Sequence, residues 1–178
     1  MWPWAHAGIG YLIYSLNCRR RGTQPQGVAV IILGFATQVP DLIDKPFAWT
    51  IPLLPGGRTL GHTLLFSLPL VGVVGWYARY RGTPQLGVAF GIGYLSHLLS
   101  DGFATLVTDS LSNTTFLLWP LLPLPTWDTA PSFIAHLTAL QLTPWILFEL
   151  ALTAVAMVLW VTDGSPGLGC LQKLHQPN

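Results

Sequence analysis

Along the chain, apolar runs nearly long enough to cross a bilayer alternate with short polar breaks rich in Arg, Pro and Gly. The first run, Trp2 to Cys18, stops at Arg19, Arg20 and Arg21, and the second, Thr23 to Val39, stops at Pro40. Pro3 suits a first helical turn, where its missing N–H costs nothing, and Pro40 ends the second run. At the rise of an α-helix, 17 residues reach only about 25 Å, so these two runs cross with little tilt or in a thinned bilayer. A third run spans Leu60 to Ala78, a fourth Pro84 to Ser100, and a fifth, Pro144 to Val161, is uninterrupted and of full length. The pattern predicts an all-α, polytopic membrane helix bundle of about five transmembrane helices, forming one integral membrane domain over residues 1–178. Between the fourth and fifth runs lies Asp101 to Thr143, whose apolar stretch Phe116 to Leu124 is interrupted by Pro120 and Pro123 and followed by Pro125. Proline in that density predicts a re-entrant or interfacial segment. Gly87 and Gly91 form a G-x-x-x-G that lets the fourth helix approach a neighbour closely.

Composition agrees with the pattern. Half of the chain is hydrophobic and 8% is charged, against about a quarter charged in a soluble domain, too little to cover a water-facing surface. A net charge of +1 with dispersed basic residues offers no track for a phosphate backbone and excludes nucleic acid as a partner. Cys18 and Cys170 have no C-x-x-C spacing, so neither a disulfide framework nor a thiolate zinc site is indicated. The first run has neither a basic leader nor a small-residue cleavage site and reads as retained. Basic residues then set an orientation: Arg19 to Arg21, Arg79 with Arg81, and Lys173 fall on one side, which the positive-inside rule assigns to the cytoplasm. The N-terminus, the Pro40 to Thr59 loop and the Asp101 to Thr143 segment are then outside, with Lys45 and Arg58 the only basic residues there.

Overlaid on this map, the acids and histidines gather at one face. His6 opens the first helix, Asp41 and Asp44 follow the second, His62 sits in the first turn of the third, and His97 with Asp101 close the fourth, all at outer ends. His97 and Asp101 are four apart and share one helical face, so they can ligate one ion or adjacent ions; Asp41 and Asp44 do likewise if Pro40 begins a helical turn. Imidazole with carboxylate suits zinc first, with manganese or iron as alternatives. Six candidates exceed the three protein ligands of a catalytic zinc and point to one or two ions, the two-ion case clamping an in-line displacement. Arg58, four residues before His62, offers a planar fork for phosphate or carboxylate. Blander readings compete: His6 between Trp2, Trp4 and the membrane surface fits an interfacial residue, and Asp41 with Asp44 fits a solvated loop. Glu149 is an intramembrane acid without a partner at ligand spacing and stays outside the site. His136, Asp109, Asp128, His175 and Asp163 read as solvent-facing, and the tryptophans as an aromatic belt.

These residues lie in four segments, WAHAG (Trp4 to Gly8), VPDLIDKP (Val39 to Pro46), RTLGHT (Arg58 to Thr63) and GYLSHLLSD (Gly93 to Asp101), with LWP (Leu118 to Pro120) trailing. Together the segments resemble the family of membrane-bound metal-dependent hydrolases, also described as LexA-binding, inner-membrane-associated hydrolases. Members show an early GH or AH, then PD-x-D, HR-G-x-TH-S and a helical H-x-x-x-D. The resemblance implies functional roles for His6, Asp41, Asp44, Arg58, His62, His97 and Asp101. It departs at the acidic pair, spaced D-x-x-D here, and at Gly57, which stands where members carry a histidine. A more distant analogy is to zinc-dependent phospholipase C, which uses Asp, His and H-x-x-x-D in the same order. The family's hydrolase label itself derives from its motifs and carries no substrate.

The sequence therefore supports a membrane-bound metal-dependent hydrolase at the outer face, acting within the lipid bilayer surface on a phosphoester such as a lipid headgroup. In this reading His6, Asp41, His62, His97 and Asp101 hold the ion or ions, Asp44 is a further ligand or the general base, and Arg58 stabilises developing charge. The alternative is a non-enzymatic membrane protein, with the cluster a structural site or part of a metal-ion carrier. A carrier needs ligands near the midplane, which disfavours it. Nothing in the sequence fixes an oligomeric state.

Overall fold

The computed structural model describes residues 1–51, 53–125, 132–138 and 140–169, and every described element is helical. Helix α1 (Pro3–Arg20) starts at the proline expected and ends in the arginine turn. Helix α2 (Gly27–Ala36) begins later than expected, after Pro25, and breaks at Thr37 and Gln38. The chain does not then enter a loop but forms α3 (Val39–Trp49), with Pro40 in its first turn, so the condition for pairing Asp41 with Asp44 is met. Helix α4 (Leu64–Tyr80) is capped by Thr63, whose hydroxyl accepts from Leu65 N. His62 thus lies just ahead of the helix rather than in its first turn. Helix α5 (Pro84–Thr108) runs 25 residues, well past the boundary expected at Ser100, so His97 and Asp101 are interior to it. A 3₁₀ segment (Leu111–Leu118) follows, then the short α6 (Phe133–Thr138) and α7 (Pro144–Thr162), which matches the fifth run.

Helix α5 is the hub, packing against α1, α2, α4 and the 3₁₀ segment, while α7 lies on α1. Small residues make these approaches close. A Cβ on Gly87 would sit 3.0 Å from Gly75 Cα and Ala78 Cβ of α4, the contact that the G-x-x-x-G predicted. A Cβ on Gly93 would meet Leu33 O of α2 at 2.6 Å, so this crossing tolerates no side chain. An apolar core of Tyr11, Tyr14, Cys18, Ala29, Leu33 and Ala89 fills the half of the bundle nearest the arginine turn. The other half buries polar groups.

Outward faces are apolar: Val73, Trp76, Leu99, Val155, Met157 and Val158 are all exposed, as lipid contact requires. By length and apolar content, however, two stretches among the described residues qualify as membrane spans, Gly27–Trp49 and Pro144–Thr162, with Leu64–Tyr80 apolar but shorter. The expected count of about five is not reached on these measures. Helix α1 is diluted by His6, Ser15, Asn17 and its arginines, and α5 by its glycines, His97 and Asp101.

Asp163 corrects a second expectation. Rather than facing solvent, its side chain is 3% exposed and accepts from Tyr11 Oη (2.8 Å), Ser15 Oγ (2.6 Å) and Arg19 Nη2 (2.5 Å), tying the end of α7 to α1. Burial alone would raise its pKa, but the Ser15 and Tyr11 hydrogen bonds and Arg19 outweigh it and hold the carboxyl below its ordinary value. Asp109, at the end of α5, does stay on the surface, taking a hydrogen bond from Asn113. Asp128, Cys170, Lys173, His175 and the His136 side chain lie outside the described residues.

Candidate metal centre

His97 and Asp101 leave one face of α5 a turn apart, and three other elements deliver their partners to that face. From α1 comes His6, its ring stacked on His97 with centroids 3.7 Å apart and planes 16° from parallel. From α3 comes Asp41, in the first turn. The turn before α4 brings His62, and Asp44 fixes that turn. Its carboxylate accepts from Thr59 N (2.7 Å), Gly61 N (2.8 Å) and His62 N (3.2 Å). Gly61 is needed there because a Cβ would lie 2.7 Å from Pro40 O. Tyr94 Oη adds a bond to Gly61 O at 2.7 Å.

Hydrogen bonds assign the ring protons. His62 Nδ1 lies 2.7 Å from Asp44 Oδ2 and His97 Nδ1 lies 2.6 Å from Thr37 O, and both partners can only accept. His6 Nδ1 meets Ser100 Oγ at 2.8 Å, and that hydroxyl already donates to His97 O, so His6 Nδ1 donates as well. With each Nδ1 a donor, each neutral ring turns an Nε2 lone pair inward. The Nε2 atoms of His62 and His97 are 3.0 Å apart, a repulsive contact between two acceptors unless a cation or proton lies between them. The buried His6 Nε2 has no hydrogen-bond partner among the described residues and lies 3.4 Å from Asp101 Oδ1.

Two carboxylates complete the set. His62 Nε2 is 3.5 Å from Asp41 Oδ1 and 3.6 Å from Asp101 Oδ2, and His97 Nε2 is 3.8 and 3.9 Å from the same atoms. With zinc–ligand bonds of about 2.0–2.1 Å, a tetrahedral shell has edges of about 3.3 Å. Five of the six edges of such a shell, 3.0 to 3.9 Å, bracket that value. His62, His97 and Asp101 form one trio whose ligand atoms all lie within 4.8 Å of one another, and His6, Asp41 and His97 form a second, overlapping one. The donor set therefore fits a divalent ion. All three imidazoles are fully buried, and His62 lies against the carboxylates of Asp41, Asp44 and Asp101. The field at this ring favours positive charge.

Of the residues singled out in the sequence, His6, Asp41, His62, His97 and Asp101 converge directly. Asp44 belongs to neither trio; its oxygens are taken by three backbone N–H groups and the far nitrogen of His62, so neither the ligand nor the base role expected of it suits its position. Arg58 lies alongside, its Nε 2.9 Å from Asp101 Oδ2 and its guanidinium 5.7 Å over the ring of the buried Phe116. Sequence reasoning missed Thr37, Ser100 and Phe116. Ser100, three residues after His97, was the one with a signal, since that spacing keeps it on the same helical face. Glu149 is also fully buried, taking Trp2 N at 3.1 Å on one oxygen, close to where the Met1 amine contacts Asp101 Oδ1 at 2.5 Å.

No curated protein and no solved structure matches the chain. Residues 1–165 match the model of the YdjM inner membrane protein, so the buried cluster and the apolar helices around it belong to a chain of the YdjM inner membrane protein family.

Proposed function

We propose that this chain is a multi-pass membrane hydrolase, with one or two divalent ions, zinc in the first instance, held by His6, Asp41, His62, His97 and Asp101 near the non-cytoplasmic face. What carries the reading is the pair of inward Nε2 lone pairs on His62 and His97, 3.0 Å apart, each ring locked from behind by an acceptor. With both nitrogens bare such an arrangement is costly, and a cation between them, facing the carboxylates of Asp41 and Asp101, makes it favourable. A bound ion would serve as a Lewis acid toward a phosphoryl or carbonyl oxygen.

The residues divide the remaining work. Asp44 and Thr37 O keep the two rings in the tautomer that presents Nε2, the role that outer partners of metal-bound histidine usually play. Arg58 sits beside Asp101 with its side chain 28% exposed, placed to bind an anionic group and to stabilise charge that develops during displacement. The Phe116 wall and the buried rings exclude water from the inner side. A phosphoester, with a lipid headgroup as the form available at a bilayer surface, is the substrate class that suits a divalent ion beside a guanidinium. An ion serving structure alone would be closed in by protein on every side, whereas Asp41 and Arg58 are partly open to the outside. Five crossings with the N-terminus outside and the C-terminus cytoplasmic belong to this proposal.

Elemental analysis of protein purified in detergent tests it. Wild type should carry one to two equivalents of zinc, and the His97→Ala and His62→Ala variants, if still monodisperse, far less. Equal metal content in wild type and both variants would overturn the reading.

A further inference from the structure

We propose that Lys45 is a second anion-binding residue of this site and that the group it receives, with Arg58, is a singly charged phosphodiester. The inference rests on the divalent ion proposed above. On α3, Lys45 follows Asp41 by one turn, and its Nζ lies 2.5 Å from Asp41 Oδ2. Asp41 thus presents Oδ1 to the histidines and Oδ2 to the lysine. Its Nζ also lies over the Trp49 ring, 5.6 Å from the ring centre, and the side chain is 15% exposed. Lys45 is therefore held at the cluster rather than swinging in solvent. An ammonium carries three donors, and Asp41 takes one.

Exposure locates the way in. His6, His62 and His97 are fully buried and the Asp101 side chain is 2% exposed, whereas Asp41 is 11%, Lys45 15% and Arg58 28% exposed. The open side thus runs between α3 and the turn that carries Arg58. Each cation is paired with a different carboxylate of the cluster, Lys45 with Asp41 and Arg58 with Asp101. An ion drawing charge from both carboxylates weakens both pairings, and the two cations then face whatever anion enters.

Charge selects the class of that anion. By formal charge, Asp41, Asp44, Asp101 and the neighbouring Glu149 against Lys45, Arg58 and the Met1 ammonium on Asp101 leave one negative charge with the imidazoles neutral. With a single divalent ion bound, this becomes one positive charge. A phosphodiester monoanion neutralises it, while a monoester dianion leaves a net negative charge in a half-buried site, which is costly.

Calorimetry on zinc-loaded protein in detergent, titrated with dimethyl phosphate and separately with phenyl phosphate, tests the proposal. Dimethyl phosphate should bind wild type more tightly than phenyl phosphate does. Lys45→Met should weaken dimethyl phosphate about ten- to a hundredfold, as loss of a charge-assisted hydrogen bond implies, with zinc per protein unchanged. Lys45→Arg should stay within about threefold of wild type, since it keeps the charge and the donors. Unchanged dimethyl phosphate affinity in Lys45→Met, tighter binding of phenyl phosphate, or no diester binding by zinc-loaded wild type would each overturn this inference alone. Loss of zinc from Lys45→Met would overturn it by showing that the lysine only holds Asp41. Wild type that takes up no zinc would instead bring down the metal proposal beneath it.

Discussion

Replacing Asp44 by Asn separates holding an ion from holding its ligand. The Asp44 carboxylate accepts four N–H groups: Oδ2 takes Thr59 N, His62 N and His62 Nδ1, and Oδ1 takes Gly61 N. An amide can preserve the three bonds at Oδ2 only by placing its NH2 group against Gly61 N–H. That leaves two buried donors facing each other, at about 1–3 kcal/mol for an unsatisfied group. The negative charge behind the His62 ring is lost as well, and removing such an outer partner typically weakens metal binding about 10- to 100-fold. Asp44→Asn should therefore lower the melting temperature and reduce zinc affinity by one to two orders of magnitude, while zinc still binds at saturation. His97→Ala removes a ligand and should lose more. Competition titration with a chromogenic chelator, beside thermal unfolding in the same detergent, measures both effects. Wild-type zinc affinity in Asp44→Asn would refute the orienting role, and a loss as complete as that of His97→Ala would make Asp44 a direct ligand.

Further outcomes can be checked with the same preparations. Stripping zinc with a chelator should lower the melting temperature and re-addition should restore it, because an ion at about a hundred times its Kd stabilises by about 2.7 kcal/mol. Gly93→Val should abolish a monodisperse peak in size-exclusion chromatography, since no Cβ fits against Leu33 O. Asp163, with its folded pKa depressed below the ordinary 3.8, contributes stability that is present above that value and lost as pH falls through the lower folded one. Wild type should thus lose stability as pH drops below about 4, whereas Asp163→Asn should be less stable at neutral pH and flatter over that range. Phe116→Ala should cost about 3–5 kcal/mol of stability and weaken zinc retention by loosening His62, which equilibrium unfolding and elemental analysis would show.

How far the sequence disclosed this arrangement varied with the distance between interacting residues. The H-x-x-x-D of α5 was legible because four residues is one helical turn, and that relation holds wherever the helix lies. The convergence of His6, Asp41 and His62 on it was legible only through topology, since all three sit at helix ends on one side. The task of Asp44 was not legible, because it depends on backbone N–H groups of residues 59–62, which no side-chain spacing encodes. Asp163 was misread for a similar reason: its partners Tyr11, Ser15 and Arg19 lie some 150 residues earlier on a helix face that only the packing of α7 selects. Lys45, one turn after Asp41, carries a local signal, but by charge alone it stands out only as a basic residue on the outer side. Helix boundaries moved where the side chains allowed it; α5 outruns the apolar pattern because Asp101 is buried among cations and imidazoles that accept its charge.

The break at Thr37 and Gln38 makes α2 and α3 a bent rod. A straight rod here would cross a bilayer more simply, with every carbonyl turned along its own axis. The bend instead frees the Thr37 oxygen to grip a ring on α5, so any force that straightens this rod also lets that imidazole rotate. Bilayer thickness and lateral pressure, where they act on the rod's tilt, would thereby reach the histidine cluster.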